Sequence, residues 1–176
     1  MAIVKRNTDY LSSHNIDFSR LVTKEFPELD LSIFTDREKI EIMEWAMARA
    51  FDNIADDLPV RHFVHGGMYT RELTIPADTL LTGKVHTKEH ICMLSKGHLA
   101  VMTDDGMKYI KAPYTFKARS GLKKIGYAIS DCVFTTINTT DLTDIKEIEN
   151  ELLVDSDLTW VDQLFEEQVK ICQVQQ

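Results

Sequence analysis

At 176 residues, with 44% apolar and 27% charged residues, the chain is long enough to bury one hydrophobic core. A formal net charge of -8 argues against a general nucleic-acid binder, whose affinity comes largely from neutralising phosphates. No run approaches the ~18 apolar residues of a membrane span and the start lacks a basic-then-apolar leader, so a cytoplasmic protein without membrane contact is expected. Cys92, Cys132 and Cys172 lie far apart in apolar surroundings without a Cys-x-x-Cys pair, and read as reduced, buried thiols.

Within residues 1–34, Phe18, Leu21, Val22 and Phe26 form a short helical stripe that Pro27 stops. An arm this apolar is expected to pack on its own barrel or on a neighbouring subunit. Thr35-Asp36-Arg37-Glu38 is a capping-box pattern, and Met43, Met47, Ala50 and Ile54 then recur at helical spacing, predicting a helix that ends near Asp56-Asp57.

From Pro59 the texture changes to short β-like runs between turn residues. Val60 to His65 leads to Gly66-Gly67, and Met68 to Ile75 alternates with Tyr69, Arg71, Leu73 and Ile75 on one side. Pro76-Ala77-Asp78 turns the chain. Thr82 to Gly97 follows and is read as one turn into a strand. On that reading His86 and His90, four residues apart, point the same way together with Lys84 and Lys88. His98 to Thr103, the Asp104-Asp105-Gly106 hairpin signal, Met107 to Ala112, Ile125 to Ile129 and Cys132 to Ile137 complete the series. Many short strands at even spacing predict a sandwich or barrel. From Gly106 to Ser130 there is no Asp or Glu, while Lys108, Lys111, Lys117, Arg119, Lys123 and Lys124 fall there. These are either solvated strand residues or a positive field for an anion.

After Asn138 the texture returns to helix, with Ile145, Ile148 and Leu152 spaced for one and Val161, Leu164, Phe165 and Cys172 for another. Asp155, Ser156 or Asp157 is the N-cap of the second. One domain is expected, mainly β with flanking helices: an arm and capped helix over 1–58, a barrel over 59–140 and C-terminal helices over 141–176.

The barrel segment resembles the cupin superfamily, whose first motif has the form G-x5-H-x-H-x3,4-E-x6-G and whose second is P-x-G-x2-H-x3-N. Aligned on Gly97, His90 stands in the Glu position, His86 at the second His, and Lys84 replaces the first. In the second motif Gly121 fits, while Arg119, Lys124 and Ala128 replace Pro, His and Asn. The run Ile110-Lys111-Ala112-Pro113, then Gly121-Leu122-Lys123-Lys124, Tyr127-Ala128 and Asp131, is similar to cupin-like proteins of tailed phages, mostly of unknown function. The resemblance covers about Pro59 to Thr140 and implies a double-stranded β-helix, or jelly roll. A phage origin would place the protein in the host cytoplasm or the virion.

Cupin enzymes usually hold iron, manganese, zinc or nickel through three histidines and a carboxylate. This chain offers His86 and His90 as metal ligands and lysines at the other two places, an incomplete set, so no cofactor is expected. The resemblance implies instead that Lys84, His86, His90 and Lys124 converge on the barrel mouth with Tyr127 near, a donor-rich pocket for a small anionic molecule. With two ammonium groups beside them, the imidazoles are expected to stay neutral until an anion draws protons in near pH ~6. Two further readings stay open: an oligomerising phage scaffold, and a metal-dependent or acid–base enzyme using His86 or His90 as base and Tyr127 as acid. A homodimer or higher homo-oligomer is expected, as cupin-like barrels commonly pair.

Overall fold

In a computed structural model that describes residues 3–6, 16–18, 20–23, 26–50 and 58–174, the chain begins with β1 (Ile3–Arg6), α1 (Arg20–Thr23) and α2 (Asp36–Ala50). The strands β2 (Val60–His65), β3 (Met68–Ile75), β4 (Thr79–Thr82), β5 (Val85–His86), β6 (His90–Lys96) and β7 (His98–Thr103) follow. Then come β8 (Gly106–Lys111), β9 (Tyr114–Ala118), β10 (Lys124–Ala128) and β11 (Cys132–Thr139). The chain ends with α3 (Ile145–Leu152), β12 (Leu153–Val154) and α4 (Thr159–Val174).

Two antiparallel sheets face each other, ordered β1-β4-β10-β7-β8 and β2-β3-β11-β6-β9. Setting aside β1 and β2, the first strands pair with the last, β3 with β11 and β4 with β10, and the middle ones pair among themselves, β6 with β9 and β7 with β8. Consecutive strands β3 and β4, β6 and β7, β8 and β9, and β10 and β11 lie in opposite sheets. That order is a jelly roll, one long hairpin wound into a double-stranded β-helix. Gly97 makes the β6–β7 turn: its φ is +96°, and a Cβ there would lie 2.3 Å from the Asp131 carbonyl oxygen.

Alternation along the strands makes two cores. Between the sheets lie Leu73, Ile75, Leu94, Leu99, Val101 and Ala128. On the outer face of the β4-β10-β7 sheet, Leu80, Ala100, Ile125 and Tyr127 meet Ile40, Met43 and Met47 of α2. Each such buried side chain contributes about 1.5–3 kcal/mol. Phe18 and Val22 join this second core, so the described part of the arm packs on its own barrel.

Local signals account for the helix starts. The Thr35 backbone N–H donates to Glu38 Oε2 at 2.7 Å and the Glu38 N–H to Thr35 Oγ1 at 3.3 Å, the reciprocal capping box. Asp144 Oδ1 accepts from the Glu147 N–H at 3.0 Å, and Asp157 Oδ1 from the Thr159 N–H at 3.0 Å. Ile148 and Leu152 are buried as the α3 stripe predicts, but Ile145, in the first turn, is 40% exposed. The predicted end of α2 near Asp56 lies outside the described residues.

The predicted single strand from Thr82 to Gly97 is in fact the end of β4 and two separate strands. β5 pairs with β12 and β6 with β11 and β9, because Lys88-Glu89 breaks the ladder between them. Of the basic segment, Lys108, Lys111, Lys117 and Arg119 are exposed, three of them on the edge strands β8 and β9, where lysine blunts edge-to-edge pairing. Lys123 is wholly buried between the sheet and α2. Its Nζ donates to Glu44 Oε1 at 2.7 Å and to the Gly83 carbonyl at 2.6 Å. Burial still draws its pKa below the usual lysine range, with Glu44 opposing.

Removing one member of this pair strands a buried charge. Glu44→Ala is expected to cost about 3–5 kcal/mol in urea unfolding, while the apolar double replacement Glu44→Leu/Lys123→Met should cost much less. Equal losses in both variants would contradict the buried-pair account.

Candidate functional site

The inward faces of the two sheets leave a cavity of about 340 Å³ inside the barrel. Its walls are mostly apolar, from Leu73, Ile75, Leu81, Leu99, Val101 and Phe134, with Arg71, Lys84, His86, Lys124, Thr136 and Glu149 as polar groups. A small, largely apolar chamber with few polar groups is the usual form of a ligand site.

Lys124 opens β10 and points inward, away from its neighbour Lys123. Its Nζ lies 3.5 Å from His90 Nε2 and 3.9 Å from Cys92 Sγ. Among the described residues no carboxylate stands within ion-pair distance of it. Burial draws its pKa below the usual lysine range, opposed by Cys92 and Asp104.

His86 and His90 stack with ring centroids 3.8 Å apart and planes 23° from parallel. His90 Nδ1 donates to the Lys88 carbonyl at 3.2 Å, which leaves Nε2 as an acceptor facing the Lys124 amine. His86 Nδ1 donates to Asn138 Oδ1 at 3.2 Å. Burial first, then the charges of His90 and Lys124, hold His86 down at about 3; burial, then Lys124, holds His90 at about 4. Both imidazoles are neutral at pH 7, as their neighbours require. Burial rather than the lysines is the larger cause, and a proton arriving near pH 6 would have to overcome it.

Tyr127 is not part of this group. On a strand, position 127 faces opposite to 124, and its ring sits in the α2 core with its hydroxyl donating to Asp78 Oδ1 at 2.8 Å. It pins the β3–β4 turn and cannot serve the cavity as an acid. Lys84 lines the cavity but is tied to Asp155 at 3.0 Å, and Lys88 turns outward to Glu151 at 2.7 Å.

Three polar residues enter that the motif comparison passed over. Arg71, Thr136 and Cys92 stand in one row across β3, β11 and β6. Strands lie about 4.8 Å apart, so Arg71 and Cys92 are about 10 Å apart at the backbone; Arg71 and Thr136 line the cavity with Lys124, and Cys92 does not. Arg71 Nε is 3.7 Å from Glu149 and makes no hydrogen bond, and Thr136 Oγ1 is buried without a partner among the described residues. Asn138 Nδ2, beside His86, is likewise unpaired there. The signal for Arg71 was its place in the inward alternation of Tyr69, Leu73 and Ile75.

Glu149, Asn150 and Leu152 of α3 and Leu153 of β12 close one end of the cavity. This cover is joined to the His86 segment: Leu153 pairs with His86, the Thr87 N–H donates to the Leu152 carbonyl at 2.9 Å, and Thr87 Oγ1 to the Glu151 carbonyl at 2.8 Å.

No protein-family model and no curated protein matches the sequence. Among solved structures, an acetylacetone dioxygenase from Acinetobacter johnsonii matches 51% of this chain and 72% of its own, at 17% identity and a TM-score of 0.40. An RmlC-like cupin family protein with a double-stranded β-helix fold from Methanocaldococcus jannaschii matches 51% and 86%, at 13% identity and a TM-score of 0.42. A cupin-like protein from Thermotoga maritima matches 51% and 83%, at 11% identity and a TM-score of 0.42. The barrel is similar to those of cupins. At such scores the jelly roll rests on its own strand order, and the dioxygenase activity is that of the Acinetobacter protein alone.

A cupin metal site needs converging ligands, and the residues here do not fit one. The two rings stack face to face and His90 Nε2 confronts an amine. Among the described residues no group of three or more His, Cys, Asp or Glu could hold a metal ion.

The histidine pair makes the fold sensitive to acid. Unfolded histidine titrates near ~6.5. Folded His86 and His90 bind protons only near 3 and 4. Below pH ~6.5 the unfolded chain therefore takes up more protons, so their contribution is complete above that pH and is lost as pH falls. Urea unfolding should show stability dropping by up to about 1.4 kcal/mol per pH unit for each imidazole between pH ~6 and ~4.5. His90→Gln should flatten that slope whatever its effect at pH 7.

Proposed function

We propose that the protein binds a small organic anion, such as a mono- or dicarboxylate, inside its barrel. The observation that carries this reading is the Lys124 amine, set among apolar walls with no carboxylate at ion-pair distance among the described residues. An anion there gives Lys124 a counter-charge at contact, through charge-assisted hydrogen bonds of about 1.5–3 kcal/mol each. Arg71, whose Nε hydrogen has no hydrogen-bond acceptor among the described residues, and Thr136 Oγ1 supply further donors on the facing sheet. The apolar walls select a ligand with a carbon skeleton over a bare inorganic ion.

No step of this binding calls for a metal. Elemental analysis of purified protein is expected to give well under one iron, zinc, manganese or nickel per chain, and a stoichiometric metal would return weight to the enzyme reading.

The binding test is a thermal-shift series with succinate, pyruvate and inorganic phosphate on wild type and Lys124→Met. At 100 times Kd a ligand adds about 2.7 kcal/mol. For a domain of this size that is roughly 5–10 °C. The organic acids should raise the wild-type Tm in this way and leave Lys124→Met unmoved. Affinity should fall as pH rises through the lowered pKa of Lys124, because the amine that loses its proton loses its charge. No tightening step near pH 6 is expected, since the imidazoles titrate far lower. If no organic anion shifts the wild type more than the variant, the barrel is a scaffold.

A further inference from the structure

Lys123, just before β10, and Lys124, its first residue, point to opposite faces of the sheet, the first wholly buried and the second half-buried. Lys123 is held by Glu44 and the Gly83 carbonyl, and has no freedom to react. Lys124 lines the cavity, and the unprotonated Nε2 of His90 and the thiol of Cys92, neither of them a cavity-lining residue, stand 3.5 and 3.9 Å from its Nζ. An amine becomes a nucleophile when it sheds its proton, and desolvation in an apolar pocket is a known way to make it do so. The cavity supplies that desolvation and room for a few carbon atoms, and His90 Nε2, behind its lining, is a proton acceptor 3.5 Å from the nitrogen.

We propose that Lys124 captures a small oxo acid as a Schiff base, with the carbonyl carbon at its Nζ and the carboxylate toward Arg71 and Thr136. The inference rests on the anion-binding reading and names the ligand class more narrowly. The neutral amine attacks the carbonyl carbon, forming the C–N bond and a carbinolamine. Two nitrogen-bound protons reach the oxygen by way of His90 Nε2, the first completing the carbinolamine hydroxyl and the second converting that hydroxyl into the leaving water. The C–O bond then breaks, water leaves, and the nitrogen retains the carbon in a C=N double bond. The amine gives up two hydrogens, the carbonyl gives up its oxygen, and nothing is oxidised or reduced. His90 is a positioning and relay group here: its Nδ1–H bond to the Lys88 carbonyl keeps Nε2 turned to the amine.

Burial supports this arrangement by lowering the pKa of Lys124, which enlarges its neutral fraction. Lys123 is a built-in control. It lies in the same stretch of chain and is also buried, yet its ammonium is neutralised by Glu44 and lies on the far side of the sheet.

The experiment is reductive trapping. Wild-type protein is incubated with pyruvate and sodium cyanoborohydride, then analysed by intact mass and peptide fragmentation. The expected result is one reduced adduct per chain, at Lys124 and not Lys123, formed about tenfold or more faster than at surface lysines. Succinate, which has the carboxylates but no carbonyl, should suppress it. His90→Gln should slow labelling while succinate still raises the melting temperature. Labelling spread evenly over surface lysines, with Lys124 unmodified while succinate still stabilises the protein, overturns the Schiff base and leaves anion binding standing. Lack of both the adduct and any succinate stabilisation overturns both readings.

Discussion

The buried contact between Lys123 and Glu44 is the constraint on which the rest of the molecule turns. It joins β10 to α2, and through the Gly83 carbonyl it also holds the chain between β4 and β5. Burying an ion pair in this way adds little net stability compared with an apolar substitute, but it penalises arrangements that separate the charges. Lys123 can be satisfied only on the α2 side of the sheet. Strand alternation then sends Lys124 to the other side, into the cavity.

Much of the barrel was legible because its strands carry period-two patterns bounded by glycine and proline. The capping box of α2 and the start of α3 were equally plain. β9 was missed because Tyr114-Thr115-Phe116-Lys117-Ala118 leaves only Phe116 and Ala118 out of the exposed class, too little contrast for a pattern. β4 and β12 are too short to show one, and β12 exists by tertiary pairing with β5. The two histidines do come together, but from separate strands, β5 and β6.

The site was legible in its cations and less so in its shape. Motif alignment singled out Lys84, His86, His90 and Lys124, of which Lys84, His86 and Lys124 line the cavity and His90 stands beside Lys124. It also drew in Tyr127, although an odd separation from Lys124 along a strand places the two on opposite faces. The same counting would have admitted Arg71, an even step from three inward apolar residues. What no local pattern encodes is the partner of each charge. Asp155 and Glu151 answer Lys84 and Lys88 from about seventy and sixty positions away, and among the described residues no carboxylate answers Lys124 at ion-pair distance. That difference, invisible along the chain, decides which lysine faces a ligand.

The paired lysines at the start of β10, Lys123 just before it and Lys124 its first residue, carry a consequence for folding fidelity. If the strand slipped by one residue, an ammonium would still sit on each face, so charge alone does not distinguish the two registers. Size does. The slip would turn Ile125 and Tyr127 into the chamber and leave Gly126 and Ala128 beneath α2, filling the empty space and starving the helix of its packing. The hollow of the barrel and the seat of the helix are thus two readings of one parity, kept apart by a residue with no side chain.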